Sequence, residues 1–154
     1  MTLRAGRLRG RLALVTGASR GIGRAVALAL AAEGARVQAL ARSADALADL
    51  ARTAAAGDGA AGDRAEVEAS AGEGSGDVHP VVCDLTDDTS VWTTLDELTE
   101  AVGRPPDIVV NSAGVFGIAP LAEETVKSFD AQLAVNLRAP FLVIQTLLPA
   151  MLER

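Results

Sequence analysis

A chain of 154 residues with 49% hydrophobic and 22% charged residues has the size and balance of one domain with a substantial core. Its formal net charge of −6 speaks against nucleic-acid or anionic-membrane partners, since either needs a concentrated basic surface to displace counterions from phosphate. A single cysteine, Cys83, excludes an intramolecular disulfide and a Cys-cluster metal site.

Cys83 reads as a small buried apolar residue and fits a reducing, cytoplasmic compartment. Arg4, Arg7, Arg9 and Arg11 give a basic start, but no apolar segment of signal-peptide length follows them, so export is not expected. Apolar stretches elsewhere are interrupted by Arg, Glu or Gly short of bilayer length, and no membrane segment is expected.

The first strand is expected over Leu12 to Thr16, a short run rich in branched apolar residues, followed at once by the glycine-bearing turn GASRGIG. Helix formers from Ile22 to Glu33 predict a helix, with Gly34 placed for a left-handed C-terminal cap. Arg36 to Ala41 reads as a second strand, and strand, helix and strand in so short a span imply parallel pairing. Ser43 is placed to cap a second helix to about Ala54, with Leu47 and Leu50 on one face.

At about 55–77 the pattern dissolves into Ala, Gly, Asp, Glu and Ser, which reads as a low-complexity surface insertion in an otherwise single domain spanning 1–154. Val78 to Cys83 resumes as a third strand, in which Pro80 is tolerated only at a sheet edge or in the N-terminal part of the strand, and the strand is expected to lie outermost. A helix from about Asp87 to Val102 is closed by Gly103, Pro105 and Pro106, and Ile108 to Val110 forms a fourth strand. Helical sequence returns from about Thr125 to Leu152, with Pro140 and Pro149 expected to kink or break it. Alternating strands and helices indicate an α/β fold with a doubly wound, Rossmann-type parallel sheet of about four strands.

Function is carried first by the turn Thr16-Gly17-Ala18-Ser19-Arg20-Gly21-Ile22-Gly23 between strand and helix. Backbone N–H groups at such a helix start can cradle a pyrophosphate, and glycine lets phosphate oxygens approach without a Cβ in the way. A purely structural strand-to-helix turn is the alternative for these residues taken alone.

The spacing TGxxxGxG resembles the cofactor turn of the short-chain dehydrogenase/reductase family, and the resemblance recurs along the chain. Asp84 matches the family's acidic residue at the adenine ring. Asn111-Ser112-Ala113-Gly114 resembles the NNAG signature with Ser in place of the second Asn, and Asn136 matches the helix asparagine that helps hold the active-site proton relay. Each has a plainer reading by itself: Asp84 could cap a turn, Asn111 could hold loops to the sheet by its amide, and Asn136 could face solvent.

The resemblance thus implies cofactor contacts at Thr16, Gly17, Ser19, Arg20, Gly21, Ile22, Gly23, Arg42, Asp84, Asn111, Ala113 and Gly114, and a catalytic role for Asn136. Charge argues for NADP over NAD. After the second strand the chain offers Arg42, where a carboxylate would accept bonds from the ribose and repel a 2′-phosphate, and Arg20 could reach the same phosphate. Solvated surface charge is the alternative for both arginines.

The family's proton donor is a tyrosine assisted by a lysine four residues on and by a serine, and this sequence has no tyrosine. The resemblance therefore implies a truncated, NADP-binding portion of a reductase that acts on a carbonyl or alcohol in the complete enzyme. The alternative is a non-catalytic dinucleotide-binding or subunit-association module, and the partner in either case is a complementing half or a homo-oligomer.

Overall fold

The computed structural model describes residues 6–57 and 76–154. The expected insertion at about 55–77 lies for the most part outside the described residues.

Four strands and their helices follow in chain order: β1 (Leu12–Thr16), α1 (Gly21–Ala32), β2 (Arg36–Ala41), α2 (Ala44–Ala55), β3 (Val78–Val82), α3 (Asp88–Val102), β4 (Ile108–Asn111), α4 (Val126–Leu133) and α5 (Ala139–Leu152). The strands form one parallel sheet in the order β3-β2-β1-β4. This is the Rossmann-type α/β arrangement read from the sequence, and Pro80 lies on an edge strand, where its missing N–H costs no ladder bond in the sheet interior.

The chain divides into two compact units, Met1–Val82 with Pro106–Ser112 and Cys83–Pro105 with Ala113–Arg154. The first holds the sheet, α1 and α2. Its central strand β1 is buried throughout, as is β2 after Arg36, which explains their nearly continuous apolar sequence. Alanines dominate the contact between helix and sheet: Ala13, Ala27, Ala35 and Ala39 are fully buried, and such small side chains let α1 approach closely. Leu47 and Leu50 of α2 complete that core.

Local signals place the ends of these elements. Ser43 Oγ accepts the Ala46 N–H at 3.3 Å to cap α2, and Gly34 takes the left-handed conformation (φ 91°) after α1. Arg24 reaches Asp49 and Thr53, joining α1 to α2, and this guanidinium, followed by that of Arg52, holds the Asp49 carboxyl below its ordinary value. β4 is stapled to β1 by Asp107, whose carboxylate accepts the Leu12 N–H at 2.8 Å and the Arg11 guanidinium at 3.0 Å.

In the second unit α3 packs along α5, and Val91, Leu95, Leu142, Val143 and Leu147 are buried. Cys83 is buried too, as its composition-based reading anticipates. Asp87 and Gly103 cap the two ends of α3, and Thr125 caps α4.

Two expectations are refined here. Pro140 does mark an interruption of the last helix, a π turn rather than a break, whereas Pro149 does not break it. α4 passes into α5 through a π turn at Ala134–Arg138; Pro140 falls in the first turn of α5, where no N–H is needed, and Pro149 sits inside α5 near its end. The continuous helix Val126–Leu152 has 27 residues and a mean hydropathy of 1.4 over its best window, long and apolar enough to cross a membrane by length and composition. Reading the interrupting polar residues as breaks hid that length. Its apolar window is 28% buried, and within its unit the helix runs against α3, with Arg138 Nε 2.9 Å from Asp88 Oδ1.

Candidate functional site

In the first unit the turn after β1 has the geometry that its glycines permit. Gly17 (φ 67°) and Gly21 (φ 56°) occupy the left-handed region, and the Ala18 N–H donates to the Leu40 carbonyl at 3.1 Å, fastening the turn to the end of β2. Gly23 faces the turn's own backbone: a Cβ there would lie 2.3 Å from the Gly17 carbonyl oxygen and 3.2 Å from Ser112 Oγ. The helix start and the turn are thus closer than any side chain at 23 allows.

α1 begins without a side-chain cap and without an acidic residue in its first turn. Its first N–H groups, with the positive end of the helix dipole, are left for an anion. Gly21 and Ile22 are exposed at this start and Ser19 is half-buried. Thr16, by contrast, is buried, and its Oγ1 accepts the Ser112 N–H at 3.2 Å. The β1 end and the residue after β4 are thereby locked together, with Asn111 exposed at the last position of β4.

Arg20 and Arg42 are exposed, the first just before α1 and the second just after β2. Arg7, Arg11, Arg24, Arg52 and Arg138 each pair with a carboxylate, whereas among the described residues neither Arg20 nor Arg42 does. Unneutralised guanidinium groups beside an open helix start suit a phosphate.

The second unit holds the other predicted residues. Asp84 Oδ1 accepts both the N–H and the hydroxyl of Thr86, at 3.0 and 2.9 Å, so the turn-capping role foreseen for it is realised. Asn136 lies in the π turn and grips Val115 twice: its Oδ1 accepts the Val115 N–H at 2.9 Å, and its Nδ2 donates to the Val115 carbonyl at 2.8 Å. The residue is exposed, as its plainer reading had it, yet both polar atoms of its amide are bonded to the Val115 backbone. Ala113 is half-buried, and a Cβ on the exposed Gly114 would meet Asn136 Oδ1 at an ordinary 3.6 Å, so the protein's own packing leaves room there.

Sequence reasoning missed Val115 and Leu40, which act through backbone atoms and so give no signal in their side-chain types, and Asp107, whose carboxylate acts on Leu12 and Arg11, partners far along the chain.

The short chain dehydrogenase family profile matches residues 11–62 and 51–154. The chain belongs to the short chain dehydrogenase family. Among its relatives are the D-threitol dehydrogenase of Mycolicibacterium smegmatis and the L-xylulose reductase of Mus musculus, each 38% identical over 147 residues, or 96% of this chain and 50% of the relative. A metagenomic short-chain oxidoreductase in complex with NADP superposes with a TM-score of 0.77 at 36% identity, covering 95% of this chain and 58% of the other. A short chain dehydrogenase from Burkholderia cenocepacia, also in complex with NADP, gives 0.77 at 33% identity, covering 94% and 52%. This short chain dehydrogenase sequence therefore spans about half the length of the curated relatives that it matches.

Proposed function

We propose that the chain is the NADP(H)-binding portion of an oxidoreductase that, when complete, exchanges hydride between NADPH and a carbonyl or alcohol substrate. The observation that carries this reading is the conjunction of an uncapped helix start, a turn whose Gly17 and Gly21 are left-handed with open space at Gly21, and the exposed Arg20 and Arg42, before α1 and after β2, neither of which meets a carboxylate among the described residues. The NADP complexes of two similar structures support it.

In this reading the N–H groups of Ser19 to Ile22 receive the pyrophosphate, and Arg20 and Arg42 receive the 2′-phosphate. Thr16 keeps the end of β4 in place. Bound NADPH would supply the hydride; the residues of this chain would bind and orient it. The assignments of Asp84, Asn111, Ala113 and Gly114 to the cofactor, and of Asn136 to the proton relay, rest on the family motifs.

NADPH should bind more tightly than NADH, with Arg42→Asp weakening NADPH binding by about 1.5 to 3 kcal/mol or more and not weakening NADH, whose ribose hydroxyls can donate to the new carboxylate. Calorimetry with both cofactors tests it. Tighter binding of NADH, or an indifferent Arg42→Asp, would count against the assignment.

A second reading, a non-catalytic module that binds a complementing half or a second copy, has its own observations. Among the described residues β4 pairs only with β1, leaving one backbone edge without a strand. In the other unit Leu133, Leu137, Phe141, Ile144, Leu148 and Leu152 are exposed at helical spacing along one helix. The chain alone is expected to self-associate, and co-expression with the remaining half of a related reductase is expected to disperse it. Light scattering decides: a monodisperse monomer with strongly protected amides at Ile108 to Val110 would remove this reading.

A further inference from the structure

A helix continuing regularly from Val126 to Leu152 would bond the N–H of residue 140 to the carbonyl of Asn136. Pro140 has no N–H, and its ring collides with the carbonyl four residues back. The chain instead makes the π turn Ala134–Arg138, in which the Ala139 N–H reaches the Ala134 carbonyl five residues back, and α5 restarts with Pro140 in its first turn. One extra residue in a turn rotates the residues on one side of it against the other by about 100°.

Asn136 occupies the middle of that turn, and its side chain spends both polar atoms on the backbone of Val115. Val115 lies in a segment, 113–120, that belongs to no helix or strand. Its neighbour Gly114 is one of the residues assigned above to the cofactor. The direction in which Asn136 points, and with it the position of the backbone at 114 and 115, follows from where the helix ladder is interrupted.

We propose that Pro140 is a positioning residue: by withholding an N–H from Asn136 it maintains the π turn that aims the Asn136 amide at Val115 and fixes the backbone beside Gly114. The link to cofactor affinity rests on the reading under Proposed function; the link to Val115 does not. Pro149 supplies an internal control, since it lies in the same helix, near its end, without a π turn around it.

The test uses the 154-residue chain and Pro140→Ala. Alanine restores the missing donor and is the better helix former, so the variant is expected to fold. Amide exchange without cofactor should show the Val115 N–H exchanging about tenfold faster in Pro140→Ala, with no change in Pro149→Ala. NADPH binding should weaken by about tenfold, and adding Pro140→Ala to Asn136→Ala should change it less than about twofold, because the two substitutions remove the same contact.

Unchanged exchange at Val115 overturns the proposal, as does an equal loss of affinity in the Asn136→Ala background. An unfolded Pro140→Ala also overturns it, by showing that Pro140 supports the core. If the unaltered chain binds no NADPH, the cofactor reading fails, and exchange at Val115 still decides the role of Pro140.

Discussion

No carbonyl reduction is expected from this chain by itself, with NADPH and any panel of aldehydes and ketones. Hydride addition leaves an alkoxide that must receive a proton, and a placed general acid contributes about 10²–10⁴ in rate. The sequence has no tyrosine, and its one lysine, Lys127, is exposed in the first turn of α4. His79 is on edge strand β3, engaged with Arg36 and Asp77, and Cys83 is buried. Asn136 commits its amide to Val115 and offers no acidic proton. Loss of NADPH absorbance with carbonyl panels is the measurement; stoichiometric oxidation abolished by Asn136→Ala would overturn the expectation. Activity on adding a half that carries the tyrosine and lysine would support the oxidoreductase reading over the association module.

Gly23→Ala is expected to cost about 1–3 kcal/mol of stability and to abolish measurable NADPH binding, the usual penalty for forcing an atom into a closed space. Its Cβ would lie 2.3 Å from the Gly17 oxygen and 2.8 Å from the Gly17 carbonyl carbon. Both are backbone atoms, with no flexible side chain to swing aside, so relief requires the turn to move away from α1. That movement opens the cradle proposed for the pyrophosphate. Gly103→Ala makes the control: its φ of 75° carries a left-handed penalty of about 1–2 kcal/mol, but nothing lies within 4 Å of the new atom. Denaturant unfolding and calorimetry should therefore show Gly103→Ala destabilised with cofactor affinity intact. Equal affinity for NADPH in Gly23→Ala and the unaltered chain would sink the cradle assignment.

Much of the fold was legible because its causes are local. β1 and β2 are buried on both faces and so read as apolar runs. Ser43, Gly34 and Gly103 act within their own turns, so their residue types announce the helix ends. Pro80 favoured an edge position for β3, since a proline lacks the donor that an interior strand must give. The glycine turn was legible for the same reason: Gly17 and Gly21 need left-handed backbone, and that need shows in the residue type.

Only the tertiary structure decided the rest, because the determining partner is a backbone group or lies far along the chain. Asp107 and Leu12 meet across β4 and β1, Thr16 receives the N–H of Ser112, and Asn136 closes on Val115. A main-chain N–H or carbonyl has no letter in the sequence, so no spacing rule finds it. Pro140 and Pro149 make the point from the other side. The sequence by itself determined that two ladder bonds would be missing from the last helix; the surrounding structure decided that one loss would become a π turn and the other would be absorbed near the helix end. Composition fixed the number of arginines in the same way, while folding determined which of them would meet a carboxylate and left Arg20 and Arg42 without one among the described residues.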